Sequence, residues 1–247
     1  MTQSGTGQQM AEETILDRPI WQALSTRHAQ WAEGDGLAKR YPAAVTSLAA
    51  LRQPDAAAFA ALEPLAASGN AVALFLDVAP DLPAGWTVIA SGALAQMVCV
   101  APENVGGHPV GDEVIAMTSA DVDEMVALTA LTRPGPFGPR TVELGGYRGV
   151  RRAGRLAAMA GERMRVPGFT EISAVCTHPD FRGQGYAADL VAAVAQGILR
   201  RGETPFLHTR PENAAAVNVY RKLGFEIRRT FELLVVQRGP AQSASGN

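Results

Sequence analysis

The stretch over residues 170–201 constrains this chain most. A β-branched, apolar run over 170–177 (T-E-I-S-A-V-C-T) gives way to a loop over 179–185 and then to a helical pattern over 186–201. Leu190, Val191, Val194 and Ile198 recur at the spacing that puts them on one helical face. Arg200 and Arg201 suit the negative end of that helix, and Gly202 can close it. A strand that feeds a helix through a short turn implies an α/β fold, with helices packed on a sheet. The turn is Arg182-Gly183-Gln184-Gly185-Tyr186-Ala187. The first N–H groups of a helix have no internal partner and can bind a phosphate. Glycine at 183 and 185 would let the backbone approach an anion closely. The same six residues would also serve a plain tight turn. They match neither G-x-x-x-x-G-K-[ST] nor a complete G-x-G-x-x-G.

The neighbouring pattern extends this unit. Strand-like runs over 141–151, 155–163 and 170–177, the first two joined at Arg152-Ala153-Gly154, predict an antiparallel meander. A helix precedes it, with Val122, Met125, Val126 and Thr129 on one face and Asp121 and Glu124 as a capping box. Arg133-Pro134-Gly135-Pro136 stops that helix. Beyond Gly202, a strand over 205–209, a helix capped by Asn213 and running to Leu223, and strand material over 225–237 complete the series. Upstream, Ile20, Trp21, Leu24 and His28 have helical spacing. Residues 56–67 form a second helix, and 71–77, 86–91 and 96–100 read as strands. The expected organisation is a disordered N-terminus over 1–14, an α/β lobe over 15–118, a second domain over 119–238 and a disordered tail over 239–247.

Composition narrows the function. With 47% hydrophobic residues the chain can bury a large core. A net charge of -2, with Lys39 and Lys222 as the two lysines, supplies no basic stripe for nucleic acid. No apolar run approaches the ~20 residues of a membrane span, and the polar start carries no basic-then-apolar leader pattern. The expectation is a cytoplasmic protein with neither nucleic acid nor membrane as partner. Cys99 and Cys176 lie in apolar runs and read as buried thiols, with no spacing for a metal site.

Two motifs then carry a family resemblance. V-C-T-H-P-D-F-R-G-Q-G-Y-A resembles motif A of the GNAT acetyltransferases, [QR]-x-x-G-x-[GA]. P-E-N-A-A-A-V-N-V-Y-R-K-L-G-F resembles their downstream N-x-x-A-x-x-x-Y-x-x-x-G-F. The motifs stand in the family's order, and the resemblance covers about 119–238, in its FR47-like branch. It implies a GNAT-type mixed, mostly antiparallel sheet flanked by helices. The N-terminal lobe matches neither motif; a degenerate copy of the same fold is one reading of it.

The resemblance also implies acetyl-CoA as acyl donor and an amine, small-molecule or peptide, as acceptor. It assigns the backbone of Val175, Cys176 and Thr177 to the pantetheine arm. It assigns Arg182 and the amides of Gly183, Gln184, Gly185, Tyr186, Ala187 and Ala188 to the pyrophosphate, and an N–H near Val175 to the thioester oxygen. Asn213 would contact pantetheine, although on its own it reads as a helix cap. Tyr220 would be the general acid, or else a core tyrosine. Glu171 would be the general base, with Glu162, Glu143 and His208 as competitors, while His178 shapes the turn beside Pro179. Phe137, in the loop over 133–140, would line the acceptor site or anchor packing. The sequence is compatible with a homodimer. The alternative function is a non-catalytic acetyl-CoA-binding regulatory module.

Overall fold

A computed structural model describes residues 15–66, 70–108, 111 and 113–239. The disorder expected over 1–14 and 239–247 therefore concerns residues outside that set. Gly239 is the exception: its N–H donates to the Gly85 carbonyl (2.9 Å).

The first hundred residues supply short elements and one long strand. Helix α1 (Pro19–Ser25) opens on a proline, which needs no helical partner there, and buries Ile20 and Leu24. A small sheet of β1 (Glu33–Gly34), β2 (Ala38–Arg40) and β3 (Ala49–Leu51) follows. Helix α2 (Ala56–Leu62) is capped by Asp55, which accepts from the Ala58 N–H. It stops short of the expected residue 67 because Pro64 lacks the donor the next turn requires. Strand β4 (Ala71–Leu76) and strand β5 (Trp86–Cys99) come next. β5 is one 14-residue strand where the sequence suggests two. Continuous pairing with the last strand carries it through Gly92. Helix α3 (Pro102–Gly106) and strand β6 (Val114–Met117) end this part.

Helix α4 (Val122–Thr132) has Asp121 as its N-cap without a side-chain hydrogen bond, so the expected Asp121–Glu124 box is absent; Thr118 and Asp121 instead form a capping box around the 3-10 turn Ser119–Asp121 that leads into it. Arg133 ends it in the left-handed region, φ 50°. Residues 141–144, expected as strand, form a 3-10 turn. Thr141 Oγ1 ties that turn down by accepting from Gly138 N and donating to the Val45 carbonyl. The meander is β7 (Tyr147–Arg152), β8 (Arg155–Val166) and β9 (Phe169–Thr177). Helix α5 (Tyr186–Arg200), strand β10 (Thr204–Thr209), helix α6 (Ala214–Lys222) and strand β11 (Phe225–Arg238) complete the chain.

The main sheet has eight strands in the order β4-β11-β5-β10-β9-β8-β7-β6. All its pairings are antiparallel except β9 with β10. β5, from the first block, lies between β10 and β11 from the second. The boundary expected near residue 118 therefore does not divide the sheet.

Alternating side chains give the sheet two covered faces. Leu207, Ile172 and Ala158 pack with Leu190, Val194 and Ile198 of α5 and Val217 of α6. Full burial of each large apolar side chain here contributes about 1.5–3 kcal/mol. On the opposite face, Phe206 and Phe169 pack against α1 and Tyr41, Val45 and Leu48. Met159 packs there too, under Met125 and Leu128 of α4. Among the described residues no helix is long and apolar enough to cross a membrane.

Candidate active site at a split in the sheet

β9 and β10 pair in parallel from Phe169↔Thr204 to Ile172↔Leu207, and then separate. β9 runs on to Thr177 while β10 ends at Thr209. Within the separated part, β9 bulges against β8: Met159 pairs with Cys176 and Gly161 with Ser173, so Ala174 and Val175 face the single residue Ala160. Ala174 adopts φ 54°, a left-handed conformation that costs a non-glycine residue about 1–2 kcal/mol. A bulge of this kind leaves its extra residue outside the regular ladder and re-aims backbone groups.

The turn after β9 begins with a 3-10 segment, Pro179–Phe181, in which His178 Nδ1 accepts from the Asp180 N–H (3.2 Å). Gly183 and Gly185 then take φ 79° and 85°, and a Cβ at either would meet nothing within 4 Å. Gly185 is the N-cap of α5 and supplies no side chain to the first amides of that helix. Tyr186 fixes the turn from below. Its hydroxyl donates to Gln184 Oε1 (2.8 Å) and accepts from Arg152 Nε (2.7 Å). A helix start with open space above it and no side-chain cap is a ready anion site.

The split and the turn open into one cleft of about 880 Å³ that passes between the two faces of the sheet. On the α5 side it is bounded by Val175, Cys176 and Thr177, by Arg182 through Ala188, and by Asn213 and Tyr220 of the α6 segment. Asn213 caps α6, accepting from Ala216 N (3.2 Å), so both of its sequence-based readings are compatible with its position. Tyr220 is buried, and burial, with a smaller contribution from Cys176, pushes its pKa up to about 12. It therefore remains a protonated donor at neutral pH.

On the far side the cleft is bounded by Leu48, Phe75, Leu94 and Leu233, together with Arg163, His208 and Arg210. A polar ladder crosses five strands beneath it. Arg163 donates to both Glu171 oxygens (2.8 and 2.7 Å), and Glu171 Oε1 bonds His208 Nδ1 (2.7 Å). His208 Nε2 meets Gln96 Nε2 (3.2 Å), whose Oε1 accepts from Arg228 (3.0 Å). Since the amide can only donate there, His208 carries its proton on Nδ1 and is neutral. Burial lowers its pKa, against the pull of Glu171.

Comparison with known proteins bears on this site. A structure from Novosphingobium aromaticivorans, assigned as an acetyltransferase of the GNAT family, superposes with TM-score 0.84 and is 36% identical, covering 91% of this chain and 99% of that one. The chain belongs to the GNAT family. The family model described as FR47-like protein matches residues 147–234. An acetyltransferase of Yersinia enterocolitica is 38% identical over 58 residues, which is 23% of this chain and 40% of that protein's length. A GCN5-related N-acetyltransferase of Kribbella flavida shares the fold, with TM-score 0.59 at 19% identity and 92% and 97% of the two chains covered.

Within this GNAT fold, two residues singled out from the sequence lie elsewhere. Phe137 does not line the cleft; its ring meets Tyr147 edge-on (5.8 Å between centroids) and it packs under α4. Glu171 is fully buried and does not line the cleft either. Burial alone would raise its pKa, but the Arg163 guanidinium and the His208 ring override this and hold it at about 2. A carboxylate so strongly stabilised as the anion is a poor proton acceptor. Its competitors are also engaged: Glu162 with Arg201 (2.9 Å) and Glu143 with Arg140 (2.7 Å). What the sequence reading missed is the contribution of the first block, Leu48, Phe75 and Leu94. Their signal was only that of buried strand and loop residues.

Proposed function

We propose that this protein is an acetyl-CoA-dependent N-acetyltransferase in which the amine attacks the thioester directly in a ternary complex. One observation carries the reading: the amides at Gly183–Tyr186, without a side-chain cap, and the protonated Tyr220 open into the same cleft. The residues fit the donor's chemistry. Two left-handed glycines with open space above them suit a diphosphate, and a separated strand edge suits the amide-bearing pantetheine arm. Acetyl-CoA supplies the activated acyl group. Val175, re-aimed by the bulge at Ala174, offers an N–H to the carbonyl oxygen. Tyr220 donates a hydrogen bond where negative charge gathers on the departing sulfur. Asn213 hydrogen-bonds the pantetheine arm near the thioester through its amide. The Arg163–Glu171–His208 ladder keeps the floor rigid and takes no proton itself.

The test has two measurements on the full chain. Acetyl-CoA should raise the melting temperature, and free CoA should appear only when a suitable amine is added. A thermal shift without CoA release from any amine would favour the non-catalytic module.

A further inference from the structure

The acceptor half of the cleft has an unusual charge pattern. Arg133, Arg163, Arg182 and Arg210 line the cleft, and among its described lining residues there is no aspartate or glutamate. Arg182 belongs to the phosphate turn. Of the other three, Arg133 is exposed at the end of α4, and Arg163 is neutralised by Glu171 through Nε and Nη2. Arg210 has no carboxylate within 4 Å among the described residues; its Nη1 reaches the Ala93 carbonyl (3.3 Å). Gly92 makes the space for it, since a Cβ at that position would sit 2.5 Å from Arg210 Nη1. Leu94, Phe75 and Leu233 line the same cleft, and the nearby carboxylate of Glu232 is held by the Gly92 N–H (3.1 Å) and makes no ion pair with Arg210.

Resting on the acetyl-transfer reading above, we infer that the acceptor is a free α-amino acid with an apolar side chain, its carboxylate held by Arg210. The apolar walls take the side chain, and a guanidinium without an acidic partner is the natural receptor for a carboxylate. Polyamines and aminoglycosides are disfavoured, because a polycation entering this chamber meets positive charge and no acid. Desolvation in the apolar chamber lowers the pKa of a bound ammonium group, favouring the neutral amine that must attack. This accounts for a cleft without a carboxylate base. Attack by the neutral amine forms the C–N bond and breaks the C–S bond, and the amine's proton ends on the departing thiolate, which leaves as CoA.

The test compares L-leucine with L-leucinamide, spermidine and kanamycin as acceptors, alongside acetyl-CoA and N-acetyl-L-leucine binding by calorimetry. The wild-type protein should acetylate L-leucine with a KM on the order of tenfold to a hundredfold below that for the amide. Arg210→Gln should raise the L-leucine KM and the N-acetyl-L-leucine Kd by that factor, leaving the amide KM and acetyl-CoA affinity within about threefold. Equal use of acid and amide, or preference for spermidine or kanamycin, overturns the inference while leaving acetyl transfer intact. Failure to bind acetyl-CoA overturns both.

Discussion

At the scale of single residues, the site separates groups that resemble one another in sequence. Glu171 and Tyr220 are both buried polar residues near the split strands, yet only Tyr220 reaches the cleft. Glu171→Gln should leave Arg163 buried without its counter-charge and destabilise the fold by about 3 kcal/mol, a fall of about 6–12 °C in Tm. Turnover per folded molecule should change little. An intact Tm with turnover lost would instead restore Glu171 as the base. Tyr220→Phe should do the reverse. Tm should hold and acetyl-CoA affinity should stay within about threefold, while kcat falls on the order of a hundredfold, the usual effect of removing a transition-state donor. Collapse of affinity with normal turnover of the bound complex would remove the donor role.

At the scale of elements, the turn between β9 and α5 is a conformation before it is a sequence. Gly185 has φ 85° and opens to free space, and so does Gly154, φ 76°, in the β7–β8 hairpin. Glutamate at either position would incur similar backbone strain of about 1–2 kcal/mol. Only at 185 would the new charge face the proposed diphosphate. Gly185→Glu should weaken acetyl-CoA binding by more than a hundredfold in calorimetry, and Gly154→Glu should lower Tm without affecting binding. Equal binding losses would show that strain, not charge, is responsible.

For the whole molecule, the sheet order matters most. β5 pairs with β10 on one side and β11 on the other, so the 119–238 segment is not a self-contained sheet. Deleting residues 1–118 would leave both strands with unpaired edges and expose Phe206, Phe225 and Phe231. The fragment should lack cooperative unfolding and acetyl-CoA binding. A soluble fragment with a sharp thermal transition would mean that the C-terminal part closes its sheet in another way.

The helix periods of α5 and α6, the glycine turn and the second motif were all legible in the sequence, because each depends on residues within a few positions of one another. Local backbone preference and amphipathic spacing fix such features before any tertiary contact forms. Strand neighbours are a different matter. Nothing near Trp86–Cys99 specifies that this run inserts between segments more than a hundred residues downstream. Nor does anything near Glu171 disclose that His208, on a strand beyond the next helix, would bond it. Strand order and the walls of the cleft are long-range properties, decided by which surfaces the folded chain brings together. The glycine turn was therefore readable from its own residues, whereas the burial of Glu171 and the approach of Arg210 to Gly92 and Ala93 emerge only from the assembled sheet.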